Sequence, residues 1–240
     1  MKSFRLSQEC LKIIACVTML IDHFAVVLLW KLFPNANFTV ELYHICRIIG
    51  RLAFPIYCFL LAEGAFYTRN RKEYGLRLLV GLVLSEIPFD VLFYGTVTFA
   101  HQSVMVTLLL GYLYAIAMNY IDSLGYRIFL MLPFAMTAEL LHADYGGWGV
   151  AMIGLFVITR EVPNCIWIQT LGLCAIAWMM GGAAVTVGAL VLPIQVFSAA
   201  AMIPIAMYDG RKRTNNIWVR RVFYLFYPAH LMALYLMTRL

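Results

Sequence analysis

The sequence predicts an all-α fold: a polytopic transmembrane helix bundle of about nine spans, with eight to ten compatible with the pattern. Three observations lead there. The 240 residues are 63% apolar and only 12% charged. Long apolar runs follow one another along the whole chain. Lys and Arg fall in alternate gaps between those runs. A soluble domain is about 45–50% apolar and about 25% charged. Half the usual charge cannot cover a soluble globule of this size, which excludes disorder, a secreted disulfide scaffold and a typical soluble enzyme. A span needs roughly 20 residues, so nine use about 180 and leave only short loops. The chain is therefore read as a single integral membrane domain, 1–240.

Apolar runs broken by charge, Gly or Pro place the spans near 11–32, 43–66, 75–95, 103–121, 126–142, 146–159, 165–181, 184–207 and 219–238. The start, MKSFRLSQECLK, looks like a signal n-region. No small-residue cleavage site follows before Asp22-His23, so residues from Leu11 onward read as a retained span. The sixth run is short, and Gly181-Gly182 is the least marked boundary. No repeat or low-complexity linker is visible. The six cysteines lie in or beside apolar stretches without a CxxC pair, which points to helix packing and to neither a metal nor a disulfide framework.

The basic residues give an orientation. Lys2, Arg5 and Lys12 precede or open the first span; Arg69, Arg71, Lys72 and Arg77 follow the second. Arg127, Arg160, Arg211, Lys212, Arg213, Arg220 and Arg221 complete a set of 14 on one side, out of 18 Lys and Arg. The opposite gaps, 33–42, 96–102, 143–145 and around 182, carry none. This places the N-terminus in the cytoplasm and the C-terminus outside, in a multi-pass protein of a bacterial inner or cytoplasmic membrane. Topology accounts for most of the net charge of +6. The bilayer is an expected partner and nucleic acid is not.

Ionisable groups within spans cost about 3 kcal/mol or more and mark function by default. Asp22 and His23 fall midway along the first run, Arg47 and Arg51 on the second, Glu86 and Asp90 on the third, and His230 on the ninth. Arg47 and Arg51, like Glu86 and Asp90, are spaced i, i+4 and share a helix face. Their similar depth invites pairing between the two basic and the two acidic residues, as a structural tie or as part of a catalytic group. Glu63, near the inner end, is read as snorkelling or pairing with Arg69. A mid-span imidazole such as His23 titrates near neutral pH and serves as general base, as proton relay or as a plain interhelical hydrogen bond. Successive helical residues point about 100° apart, so Asp22 need not orient His23. His230 carries the same ambiguity. His44 and His101 read as interfacial. The segment 138–149, AELLHADYGGWG, is a tight outer loop in which His142, Asp144 and Tyr145 either form a turn or meet a substrate.

Several stretches together resemble the TraX family of integral membrane proteins. They are LKIIACVTMLIDH (11–23), RIIGRLAFPIYCFLLAEGAFYTRN (47–70), LRLLVGLVLSEIPFD (76–90), QSVMVTLLLG (102–111), AELLHADYGGWGV (138–150) and FYLFYPAHLMALYL (223–236). The region 151–222 contributes no such motif. The family's named activity is N-terminal acetylation of a conjugative pilin subunit. The chain is similar, more distantly, to larger membrane acyltransferases of the acyltransferase-three superfamily, which pass acyl groups from cytoplasmic acyl-CoA to acceptors at the outer face.

The resemblance implies an acetyl-CoA-dependent acetyltransferase with acetyl-CoA as co-substrate, no metal, and an amine acceptor such as a peptide or pilin N-terminus. His23 matches the first-span histidine of the larger enzymes and would be the base, with its neighbour Asp22 in the same catalytic group. Arg47 and Arg51 would polarise the carbonyl or meet the phosphopantetheine, and Glu86 or Asp90 would orient one of them. Arg69, Arg71, Lys72, Arg77, Arg220 and Arg221 would hold the nucleotide phosphates. The acceptor would enter past His142, Asp144, Tyr145 and His230. A proton-coupled transporter built on Asp22, His23, Glu86, Asp90 and His230 is the alternative. The Pro residues of its two halves lack matching flanks, which weighs against it. A scaffold protein would carry fewer buried charges.

Overall fold

Local chemistry sets the ends of each helix. The computed structural model describes residues 5–34, 38–187, 190–211 and 217–239, and these are mostly helical. Helix α1 (Gln8–Leu32) starts at Ser7, whose hydroxyl accepts the Cys10 N–H at 3.4 Å. That bond satisfies one of the amide donors orphaned at a helix start, and Glu9 in the first turn complements the dipole. Within α1, Ala25–Leu29 widen into a π-helical segment. Helix α2 (Thr39–Tyr67) is interrupted by a turn at Arg51 and Leu52. Pro55 supplies the reason, because its ring crowds the carbonyl four residues earlier, that of Arg51, and offers no N–H to it. Helix α3 (Arg71–Tyr94) is capped by Asn70, whose side chain accepts the Glu73 N–H at 3.0 Å. It stops at Gly95, where φ of 75° suits glycine. Helices α4 (Val104–Tyr120), α5 (Leu124–Leu140), α6 (Gly146–Thr159) and α7 (Cys165–Met180) follow.

The expected eighth span, 184–207, is not one helix. Ala184–Val187 (β1) and Leu190–Pro193 (β2) pair antiparallel, with Ala184 opposite Pro193 and Val187 opposite Leu190. The β-branched run Val185-Thr186-Val187 favours extended backbone. Gly181 and Gly182, at φ of 63° and 89°, end α7 before it. The chain then forms α8 (Ile194–Ala206), 3-10 in its first eight residues and α-helical in its last five. Helix α9 (Ile217–Arg239) closes the chain. The other eight expected spans all fall on helices.

The chain divides into two compact units. The first comprises Met1–Tyr57, Ile166–Phe223 and Ala233–Leu240. In it α1 packs along the first half of α2. Leu6 bridges to Tyr208, with Leu6 N donating to Met207 O at 2.8 Å and Asp209 N to Leu6 O at 3.0 Å. Lys31 Nζ reaches the Thr238 carbonyl at 2.6 Å.

The second unit comprises Cys58–Cys165 and Tyr224–Met232. Its core joins α4, α5 and α6 through Val106, Ala138, Ala143 and Val150, with Leu110, Met131 and Phe134 packed around them. At one end the 96–102 and 143–145 loops meet, Gln102 bridging to Ala143. At the other, Glu63 pairs with Arg160 at 3.0 Å, and the Tyr112 hydroxyl donates to Arg71 O at 2.7 Å. Arg160, and not the expected Arg69, is thus the partner of Glu63, because the end of α6 brings a guanidinium to the inner face of α2 while Arg69 stands exposed.

Polarity is inverted relative to a water-soluble fold. Leu76, Leu79, Val80, Val83, Leu84 and Ile87 form an exposed apolar strip along α3, while Ser85 and Asp90 of the same helix are buried. Water contact costs such a strip about 25 cal/mol per Å², so these faces call for apolar surroundings. Helices α1 and α2, of 25 and 29 residues, each hold an 18-residue stretch of mean hydropathy 2.2 and 1.7 and are long and apolar enough to cross a membrane.

Glycine sets the spacing of α4 and α6: a Cβ on Gly111 would lie 2.1 Å from Ile153 Cδ1 and 3.1 Å from both of its γ carbons. Gly111→Val is expected to lower stability by about 1–3 kcal/mol through overpacking. Adding Ile153→Ala should restore at least half of that loss, measured as the unfolding midpoint of detergent-purified protein. Additive losses from the two substitutions would show that this contact does not limit the packing.

Candidate functional site

In the first unit the sequence brings a carboxylate and two guanidiniums together between α1 and α2. Asp22 is buried on α1. Arg47 Nη1 donates to its Oδ2 at 2.7 Å, and Arg51 Nη2 donates to Oδ1 and Oδ2 at 3.0 and 2.8 Å. The i, i+4 spacing of the arginines makes this sharing feasible. Gly50 makes it close: a Cβ there would fall 2.2 Å from Asp22 Oδ1. Arg51 is further fixed by Nε to Arg47 O at 3.3 Å and by Nη1 to Gln195 Oε1 at 3.4 Å, so α8 also contributes.

The expected pairing of Arg47 and Arg51 with Glu86 or Asp90 is corrected by this geometry. Asp22 already lies opposite the arginine face, and it is Asp22 that orients both guanidiniums. With one negative and two positive charges, the group carries a net formal charge of +1. Arg47 keeps 23% of its side chain exposed against 6% for Arg51, and is therefore the more approachable guanidinium. His23 follows Asp22 on α1 and is half-buried, two residues before the π-helical segment. Such local widenings recur at functional sites.

Glu86 and Asp90 belong to a different cluster, in the second unit. Glu86 accepts the Ser103 N–H at 3.2 Å and the Ser103 hydroxyl at 2.7 Å. Asp90 is 2% exposed; its Oδ2 accepts the Thr98 N–H at 2.9 Å, while its buried Oδ1 has no hydrogen-bond partner. Both carboxylates thus hold the 96–103 loop by its backbone. Tyr94 stacks on His101 with centroids 5.4 Å apart and planes at 7°, and the His142 ring meets His101 edge-on at 5.8 Å. Asp144 is exposed, with its carboxylate accepting the Tyr145 N–H at 3.0 Å and its carbonyl accepting from Thr107 Oγ1.

His142 and Tyr145 stand at positive φ of 50° and 64°, a conformation few side-chain-bearing residues adopt. His230 is buried on α9, its Nδ1 2.9 Å from Phe226 O and its ring stacked on Phe226 at 4.9 Å. Its neighbour Tyr227 is buried within electrostatic reach of Glu86, Asp144 and Tyr145. The second unit therefore gathers Glu86, Asp90, His142, Asp144 and Tyr145 at one end, with Tyr94, His101, Ser103 and Tyr227 added to the set read from the sequence.

The residues expected to hold phosphates are spread. Arg69 and Lys72 are exposed and Arg71 is half-buried at the start of α3. Arg77 is engaged, pairing with Glu73 at 2.6 Å and lying over the rings of Tyr74 and Tyr224 at 5.5 and 5.9 Å. Arg221 is exposed, and the Arg220 side chain lies outside the described residues.

Apolar faces turned outward, charges turned inward and two membrane-length helices define a helical, membrane-associated protein. The chain belongs to the TraX family: the family described as TraX protein matches residues 7–238. Among curated proteins it is similar to the probable fimbrial assembly protein FimC, serogroup H1, of Dichelobacter nodosus. The two are 28% identical over 243 residues, covering 93% of this chain and 92% of that protein. No solved structure matches.

Removing one partner of a buried pair strands the other charge at a cost of about 3–5 kcal/mol. Asp22→Ala, which leaves both guanidiniums without their carboxylate, is therefore expected to destabilise the protein by about 3 kcal/mol, and Arg51→Ala or Arg47→Ala by less, because Asp22 keeps the other arginine. Asp22→Asn combined with Arg51→Gln should cost less than the sum of the two single substitutions. Equal, additive losses in thermal unfolding would contradict the shared-carboxylate geometry.

Proposed function

We propose that the chain is a membrane-embedded acetyltransferase that moves an acetyl group from acetyl-CoA to an amine, the acceptor being a peptide N-terminus such as that of a pilin. The observation that carries this reading is the buried Asp22–Arg47–Arg51 group beside His23, whose positive charge is only half neutralised. Membership of the TraX family and the fimbrial assembly name of a relative support a pilin-related role.

In the step proposed, the acceptor nitrogen attacks the thioester carbonyl carbon and the C–S bond breaks. The surplus proton of the neutral amine passes to His23, and His23 hands it on to the departing CoA thiolate. Negative charge develops on the thioester oxygen during the attack. A preorganised guanidinium in a water-poor site stabilises such charge without reorganising. Arg47, the more exposed of the pair, is assigned to that oxygen, and Arg51 with Asp22 holds it in place. Arg69, Arg71 and Lys72 around the start of α3, with Arg220 and Arg221, are the candidates for the CoA phosphates.

The topology that accompanies this reading has nine crossings, with the N-terminus and the basic loops in the cytoplasm. The meeting of the N-terminal segment with residues 207–211 supports it, as does the meeting of the 96–102 and 143–145 loops, since each pair shares a side in that topology. The eighth crossing is the short α8. Eight 3-10 residues and five α-helical ones rise about 23 Å, less than the roughly 30 Å hydrocarbon thickness, so the β1–β2 hairpin completes the passage.

Purified full-length protein should transfer labelled acetyl from acetyl-CoA to a peptide amine. His23→Ala should slow transfer by about 10²–10⁴-fold, the usual contribution of a general base. Unchanged transfer in that variant removes His23 as the base. Absence of acetyl-CoA binding removes the reading, and solute counterflow without chemical change would favour a transporter instead.

A further inference from the structure

We propose that the Glu86–Asp90–Asp144 end of the second unit binds a primary ammonium group, such as the protonated amino terminus of a peptide. The site rests on three observations within that unit. The first is charge segregation. Every Lys and Arg of the second unit lies within 69–77 or at positions 127 and 160, and none occurs in 78–126, 128–159 or 224–232. Glu86, Asp90, Asp122, Glu139 and Asp144 occupy the stretches without cations, Asp122 on the loop before α5 that also leads to Arg127. Glu139 is not part of the proposed site, because its carboxylate accepts the Gly147 N–H at 2.8 Å, at the start of α6.

The second observation is Asp90. Its side chain is buried, Oδ2 is held by the Thr98 N–H, and Oδ1 is a buried acceptor without a donor. Buried polar atoms in folded proteins nearly always have a partner. A donor brought by a ligand would complete this one. The third is the wall beside it. The Tyr94–His101 stack, with His142 edge-on, offers aromatic faces of the kind that attract cations, and Tyr94 lies within electrostatic reach of Asp90 and Asp144.

An ammonium fits this arrangement better than a metal ion. Among the described residues no group of three or more His, Cys, Asp or Glu is placed to hold a metal. The acids are set apart on α3 and on the loop before α6, and a primary ammonium carries three diverging donors.

Binding to the full-length protein in detergent, without any acetyl donor, tests the site. The probes are a tripeptide amide with a free amino terminus and the same peptide N-acetylated. The free amine is expected to bind at least about tenfold more tightly, as charge-assisted hydrogen bonds require. Asp90→Asn and Glu86→Gln should each abolish that preference. Methylammonium should compete with the free-amine probe on the unmodified protein, a readout that needs no variant to fold. Equal binding of the two peptides, or failure of methylammonium to compete, overturns the proposal. Acetyl transfer that fails while the amine preference persists removes the acetyltransferase reading and leaves this site standing. Transfer that persists without the preference does the reverse.

Discussion

The carboxylate of Asp22, shared by Arg47 and Arg51, is the interaction on which the first unit depends. Three charges set among apolar helices are costly to desolvate and are tolerated only with close geometry and full hydrogen bonding. Other local features serve that requirement. Gly50 lets the backbone of α2 approach the Asp22 side chain to a distance no Cβ would permit. Pro55 breaks the helix at Arg51–Leu52, and Arg51 Nε takes up the Arg47 carbonyl next to the break. Gln195 of α8 adds a contact to Arg51. A cluster held from so many directions is rigid. Rigidity is what a site needs to stabilise charge that appears only transiently during a reaction.

The second unit solves the same problem differently. Its Glu86 and Asp90 are answered by backbone N–H groups and a hydroxyl. Glu86 takes both donors of Ser103, and Asp90 takes the Thr98 N–H. Glu139 completes the amino end of α6, where Gly146 leaves room that a side chain would fill. Negative charge is therefore held ready at one end of this unit while its arginines stay at the other.

Much of the fold was legible in composition, because a membrane-length apolar run constrains backbone strongly. Eight of the nine expected spans fall on helices. The exception, 184–207, is as apolar as the others, and apolarity alone does not separate a helix from a hairpin. The β-branched run after Gly181-Gly182 was the available signal. The site was half legible. The i, i+4 spacing identifies Arg47 and Arg51 as a pair, but depth in a bilayer does not choose among acids at a similar level and so does not single out Asp22 over Glu86 and Asp90. For the same reason the sequence offers Glu63 either snorkelling or Arg69, its neighbour in sequence, and does not point to Arg160, 97 residues away. The Tyr94–His101–His142 wall carried no periodic signal, since it is assembled from a helix end and two loops. Tyr227 lies inside the stretch FYLFYPAHLMALYL, three residues before His230.

The central claim is that this charge arrangement serves acetyl transfer to an amine. Intact-mass comparison of candidate pilin and surface peptides, from cells with and without the protein, tests it most directly. One acetyl group adds about 42 Da and removes a terminal charge. The account predicts an acceptor heavier by that amount in cells holding the native chain, and unshifted in cells holding stably folded Arg51→Lys. Identical acceptor masses with and without the protein would contradict it.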